Sequence, residues 1–143
     1  MKHQKKTNKL NRPKPHRESM LANLASDLFE HRVIETTHAR ACELRRLADR
    51  LITIAKADNL AARRLVGRTI RIKSIHKKLF TEIIPNLQDR NSGYTRVIKK
   101  KIRRGDGATI SVVELLTPRP EKLDEKSEKA AKKSRKKVGA KDK

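Results

Sequence analysis

Apolar positions between residues 18 and 117 keep two rhythms, a helical one first and an alternating one later. From about residue 18, Met20, Leu21, Leu24, Ala25 and Leu28 share one helical face. The β-branched pair Val33-Ile34 predicts a brief strand, and Thr36 and Thr37 are N-cap candidates for the segment after it. Residues 38–57 carry the clearest helical pattern. Steps of about 100° per residue put Leu44, Leu47, Ala48, Leu51, Ile54 and Ala55 on one arc. Arg45, Arg46, Arg50 and Lys56 fall on the other side with Asp49, while Arg40 lies toward the apolar side, near enough to the helix start to snorkel outward.

Asp58 and Asn59 offer caps for a short helix over 60–68. A further helix over 72–84 would turn Ile72, Ile75, Leu79 and Ile83 inward until Pro85 stops it. Residues 85–93 collect Pro, Asn, Gln, Asp, Ser and Gly and predict a loop. Residues 94–104 and 108–116 are rich in strand formers and joined by Gly105-Asp106-Gly107, a hairpin turn. In the first of these strands Tyr94, Ile98 and Ile102 share the face expected to enter the core. Lys99, Lys101 and Arg103 share the opposite face with Thr95 and Val97.

The two ends break the pattern. Residues 1–17 hold seven basic residues, no acid, and prolines at 13 and 15, which disfavour helix; they read as an extended basic arm. Beyond Pro118-Arg119-Pro120 the composition falls to Lys, Glu, Ser and Ala, with too few apolar residues to pack. The expected organisation is therefore an arm at 1–17, a globular domain at 18–117 and a disordered, low-complexity charged tail at 118–143.

Charge changes the picture from a small domain to a partner of a polyanion. Thirty-eight Lys and Arg stand against sixteen Asp and Glu, a formal charge of +22. It is distributed as +7 over residues 1–17, +10 over 18–119 and +5 over 120–143. Self-repulsion on that scale opposes a compact monomer and is relieved by phosphates, with release of their counterions. The groups placed to meet RNA are Lys2, His3, Lys5, Lys6, Lys9, Asn11, Arg12, His16 and Arg17 in the arm and Asn23 in the first helix. Farther along they are Arg40, Arg45, Arg46, Arg50, Lys56, Arg63 and Arg64, then Tyr94, Arg96, Lys99, Lys101, Arg103 and Arg104 in the hairpin. The arm is expected to become ordered only on RNA, since it has no apolar stripe to offset about 1–2 kcal/mol of ordering per residue.

Other chemistry is thinly represented. Phe29, Phe80 and Tyr94 are the only aromatics, so a stacking platform for single strands is not expected and the core must be aliphatic. Cys42 stands alone, which excludes an intrachain disulfide and fits a reducing compartment. His3, His16, His31, His38 and His76 lack zinc-ligand spacing, and neither a nucleophile elbow, a Walker loop nor an H-E-x-x-H motif is present. An enzyme, a cofactor, a metal and a small-molecule substrate are therefore not expected. No apolar run reaches the length of a membrane span and residues 1–17 lack a signal-peptide core, so the expected location is the cytoplasm without membrane contact. Among charge-driven functions, a nucleoid protein needs a dimer seam or a minor-groove wedge, and neither is visible. A free RNA chaperone would bind in a sequence-tolerant way.

The block Ile34-Glu35-Thr36-Thr37-His38-Ala39-Arg40-Ala41, followed by Glu43-Leu44-Arg45-Arg46 and by Asp49-Arg50-Leu51-Ile52-Thr53-Ile54-Ala55-Lys56, resembles the signature of the bacterial large-subunit ribosomal protein seventeen family. Leu10-Asn11-Arg12, His16-Arg17 and Asn23-Leu24 upstream resemble its N-terminal pattern. Ala62-Arg63-Arg64-Leu65, Lys78-Leu79-Phe80, Gly93-Tyr94-Thr95-Arg96, Gly105-Asp106 and Glu114-Leu115 follow in the family's order. The likeness covers about residues 1–117. Cys42 departs from it, standing where the family usually has a basic residue, so one phosphate contact is expected to be absent there.

The resemblance implies an α+β fold, several helices packed beside a small sheet completed by the C-terminal hairpin, with Val33-Ile34 as third strand. It also implies a structural, non-catalytic place in the large ribosomal subunit, on large-subunit rRNA at the solvent side near the peptide exit region. Neighbouring large-subunit proteins, including a small zinc-ribbon protein, are the implied protein partners.

Overall fold

The structure is a computed structural model and describes residues 8–117. The expectations for Lys2, His3, Lys5, Lys6 and the tail at 118–143 lie outside the described residues. Helix α1 (Lys14–His31) begins four residues before the expected start near residue 18. Its prolines explain why. Pro13 is the N-cap and Pro15 lies in the first turn, where the missing N–H has no intrahelical acceptor to lose and the fixed φ suits a helix.

Arg32 ends α1 in the left-handed region at φ 65°, its N–H donating to Leu28 O at 2.8 Å. That one-residue reversal delivers the chain directly into β1 (Val33–Thr37), which runs without a loop into α2 (His38–Ala55). Of the predicted apolar arc on α2, Leu44, Ala48, Leu51 and Ala55 are buried while Leu47 and Ile54 are half-buried at its edge, and Ala41 and Ile52, outside that arc, are buried too. Helix α3 (Leu60–Thr69) starts on Asn59, whose side chain accepts from the Ala62 N–H at 2.7 Å.

Helix α4 (Lys73–Lys78) widens into a π-helical turn over Leu79–Ile83. The Ile84 N–H reaches back five residues to Leu79 O, and Leu79, Ile83 and Ile84 are all buried. Ile72, expected inside, is the extended N-cap residue of α4 and is 52% exposed. A short 3₁₀ turn at Pro85–Leu87 precedes the hairpin of β2 (Thr95–Ile102) and β3 (Thr109–Leu115).

The three strands form an antiparallel sheet of order β1-β3-β2, with Ile34 and Val97 both opposite Val113. The fold is α+β, and β1 is the third strand of the sheet. Helices α1 and α2 pack against it, burying Ser111, Val113 and Leu115 of β3. The core is aliphatic apart from Phe29 and Tyr94, both essentially without exposure.

The hairpin facing agrees with the expectation at Tyr94, which is buried, and at Lys99, Lys101 and Arg103, which are exposed, but is reversed for the apolar and threonine positions of β2. Thr95 is buried and Val97 packs on the core, while Ile98 is 46% and Ile102 71% exposed. Tyr94 reaches the core from just before β2, after Gly93 at φ 65°, so it does not set the strand's phase. A bulge between Lys99 and Lys101 then breaks the alternation that linked Ile98 to Ile102.

Candidate nucleic-acid interface

The chain from residue 8 to the start of α1 is held against the domain through a buried acid. Glu43, only 5% exposed, accepts at Oε1 from the Asn8 backbone N–H at 3.0 Å and from Arg46 Nη1 at 3.2 Å. Leu10 and Asn11 follow at φ 54° and 51°, a left-handed pair that L residues seldom adopt in succession. The Arg12 guanidinium then meets the His16 ring nitrogen Nε2 at 2.9 Å, and Arg17 Nη1 donates to Arg12 O at 3.3 Å. Lys9, Asn11 and His16 are exposed. The arm thus has a structured root on α2, contrary to an arm ordered only by RNA up to residue 17.

On α2, Arg46 and Arg50 stand one turn apart and both are exposed. Arg45 is exposed and 3.9 Å from the half-buried Asp49, an i,i+4 pair near the limit of ion-pair distance. Asp49 is otherwise engaged, accepting from Thr95 Oγ1 at 2.9 Å and tying α2 to β2. Arg40 is half-buried at the start of the helix. Lys56 is engaged within the domain, where its Nζ donates to Gln88 O at 3.1 Å and Arg90 O at 2.5 Å, and sits 5.4 Å from the Tyr94 ring centre. Cys42 is half-buried, its Sγ 3.6 Å from His38 Nε2, and the other ring nitrogen of His38 lies 2.9 Å from Ser111 Oγ.

Arg63 on α3 is held by Asp58 Oδ1 through Nε at 2.9 Å and Nη2 at 2.8 Å, and lies over the Phe80 ring. Arg64 and Arg68 stand one turn apart and exposed, with Arg71 just beyond the helix end. Sequence reasoning missed Arg68 and Arg71. Arg68 lies within the predicted helix one turn after Arg64, and that i,i+4 spacing was the available signal; Arg71 follows the extended Ile70, past the helix end, where no periodicity marks it.

In the hairpin several cations are already neutralised. Arg96 donates to Glu114 Oε2 at 3.1 Å, Lys100 pairs with Glu35, and Arg103 grips Asp106 through Nε at 2.8 Å and Nη2 at 2.5 Å. The Arg103 contact holds the Asp106 carboxyl down at about 2, and the Lys100 ammonium likewise lowers Glu35. Lys99, Lys101 and Arg104 are exposed. Tyr94 leaves the set of base-contacting candidates: it is 1% exposed, with its hydroxyl donating to Asn91 O at 2.9 Å, so its ring belongs to the core.

Among the described residues, no three His, Cys, Asp or Glu side chains converge as a metal site. What recurs is solvent-exposed positive charge on α2, α3 and the root of the arm. The family model described as ribosomal protein L17 matches residues 20–116, from the middle of α1 to the residue after β3.

Proposed function

The chain belongs to the ribosomal protein L17 family, and from that premise we propose that it binds and stabilises folded large-subunit rRNA through the cations of its helices and arm. The family is a structural, non-enzymatic class, and the chain is accordingly a structural constituent of the large ribosomal subunit.

One observation supports the rRNA reading most. Arg50, Arg64, Arg68 and Arg71 are exposed and have no carboxylate within ion-pair distance among the described residues. Eleven acids between residues 18 and 119 are available to pair cations, yet these four are left for an external anion. Arginine suits that role because its planar fork meets two phosphate oxygens at once.

In this reading Lys9, Asn11, Arg12, His16 and Arg17, with Lys2, His3, Lys5 and Lys6 ahead of them, thread between rRNA segments. Arg40, Arg45, Arg46, Arg50, Arg63 and Arg64 line the helical contact, and Asn23 supplies a base-edge contact. Lys99, Lys101 and Arg104 extend the surface along the hairpin, where Arg96 and Arg103 would have to exchange their carboxylate partners for phosphate. The site of work is the cytoplasmic large subunit near the peptide exit region, beside a small zinc-ribbon protein. Sedimentation of a cell extract tests the placement. The protein should travel with the large subunit at moderate salt and leave it at high salt; recovery with chromatin or at the soluble top of the gradient would reject it.

A further inference from the structure

A groove of about 560 Å³ runs between α1 and the segment joining α3 to α4, within the range of about 300–1,000 Å³ typical of small-molecule seats. Its two walls differ in chemistry. On α1, Glu18, Ser19, Ala22, Asn23 and Ser26 recur at helical spacing and present one face to the groove. The Ser26 hydroxyl donates to Ala22 O and is buried, so the deep end of that wall is small and already satisfied. The opposite wall carries Arg68 and Arg71, and Leu47 of α2 adds an apolar side chain to the lining.

Among the described residues the side chains of Arg68, Arg71 and Asn23 have no hydrogen-bond or ion-pair partner, whereas that of Glu18 has only Lys14 at 4.0 Å. An anion is therefore drawn to the arginine wall and repelled from Glu18. A group with N–H donors is drawn to Glu18 and to the Asn23 carbonyl. An apolar, flat body between them meets Leu47 and the methyl of Ala22.

A single unstacked nucleotide has all three features. Resting on the rRNA-binding reading above, we propose that this groove seats one splayed-out RNA nucleotide whose base carries an exocyclic amino group. Its phosphate lies on Arg68 and Arg71, and its amino edge meets Glu18 and Asn23. The guanidinium planes offer the stacking surface that the scarcity of aromatics otherwise denies this chain. The carboxylate sets the base preference at position 4 of the ring, where it accepts from the N4 amino group of cytosine but meets the O4 acceptor of uracil.

The test uses the full-length, ¹⁵N-labelled chain titrated with three single-stranded probes of equal charge: tetracytidylate, tetrauridylate and an abasic tetramer. Tetracytidylate should shift the amides of Ser19, Ala22, Asn23 and Thr69 and bind about tenfold more tightly than the other two. Ala22→Leu fills the groove without changing charge, and it should abolish that preference while leaving abasic binding unchanged. Glu18→Ala, at an exposed position that tolerates replacement, should erase the preference for cytosine over uracil. Identical shift maps and affinities for the three probes would overturn the proposal, as would a cytosine preference that survives both variants. Retention on purified large-subunit rRNA is measured in parallel. If the wild-type chain binds rRNA without base preference, only the groove proposal fails; if it does not bind rRNA, the wider reading fails.

Discussion

The Arg32 guanidinium donates from Nη1 to Thr117 Oγ1 at 2.7 Å, fastening the end of α1 to the last described residue of the chain. Its Nη2 meets Glu82 Oε2 at 3.2 Å in the π-helical turn, and its carbonyl accepts from the Leu115 N–H at 2.9 Å. A buried arginine in a left-handed conformation is costly, and its buried Nε has no partner among the described residues. It persists because three segments converge on it. Thr117→Val keeps the volume but leaves Nη1 without its acceptor, and should cost about 1–3 kcal/mol. A lowered denaturant midpoint with an unchanged slope would register this; an unchanged midpoint would mean that the contact adds nothing.

Glu43 predicts a second effect, on the arm. Glu43→Ala removes the acceptor for the Asn8 N–H and leaves Arg46 without that carboxylate. Amide exchange at Asn8 should accelerate to the rate of an unprotected residue while exchange in α2 changes little. Continued protection of Asn8 in the variant would show that other contacts hold the arm's root.

The sheet gives a sharper test by comparing two aliphatic residues. Ile98→Thr on the open face should change stability by no more than about 0.5 kcal/mol. Val113→Thr is close to isosteric but buries a hydroxyl at a site with no exposure, and should cost about 1–3 kcal/mol. Equal losses in the two melting experiments would put both residues in the core and contradict the observed facing.

The hairpin turn carries a pH signature. Asp106, with its pKa lowered to about 2 by Arg103 and then by the Ala108 N–H, ionises in the unfolded chain near the ordinary value of about 3.9. Its contribution to stability is therefore complete above that ordinary value and is lost as pH falls toward 2. Because the group is fully exposed, the consequence is local and is best read by carbon-detected titration of its carboxyl. Arg103→Gln should return the midpoint toward the ordinary carboxylate range, and no change on substitution would remove Arg103 as the cause.

The helical half of the molecule was legible because burial there follows a single period. Leu44, Ala48, Leu51 and Ala55 pack where a 3.6-residue repeat puts them, and Asn59 caps where its side chain predicts. The hairpin misled because Tyr94 looks like part of the strand and is not in its phase, and a bulge between Lys99 and Lys101 leaves no mark in composition. Pro13 and Pro15 misled in another way: the residues that break a helix interior also start one. Of the candidate site, the cation-rich segments were visible, but which cations are free was not. Glu43, Asp58, Glu114 and Asp106 take partners through folding, and Arg32 is buried through a left-handed turn that no local pattern announces.

The central claim is that exposed helical arginines neutralise rRNA phosphates, and the salt dependence of binding to purified large-subunit rRNA tests it most directly. Each phosphate contact contributes about −0.7 to −0.9 to the slope of log affinity against log salt. Replacing Arg50, Arg64, Arg68 and Arg71 together by Gln should make that slope shallower by about 3, with an unchanged melting temperature. A variant whose slope and affinity match those of the wild-type chain would show that these arginines do not meet the RNA.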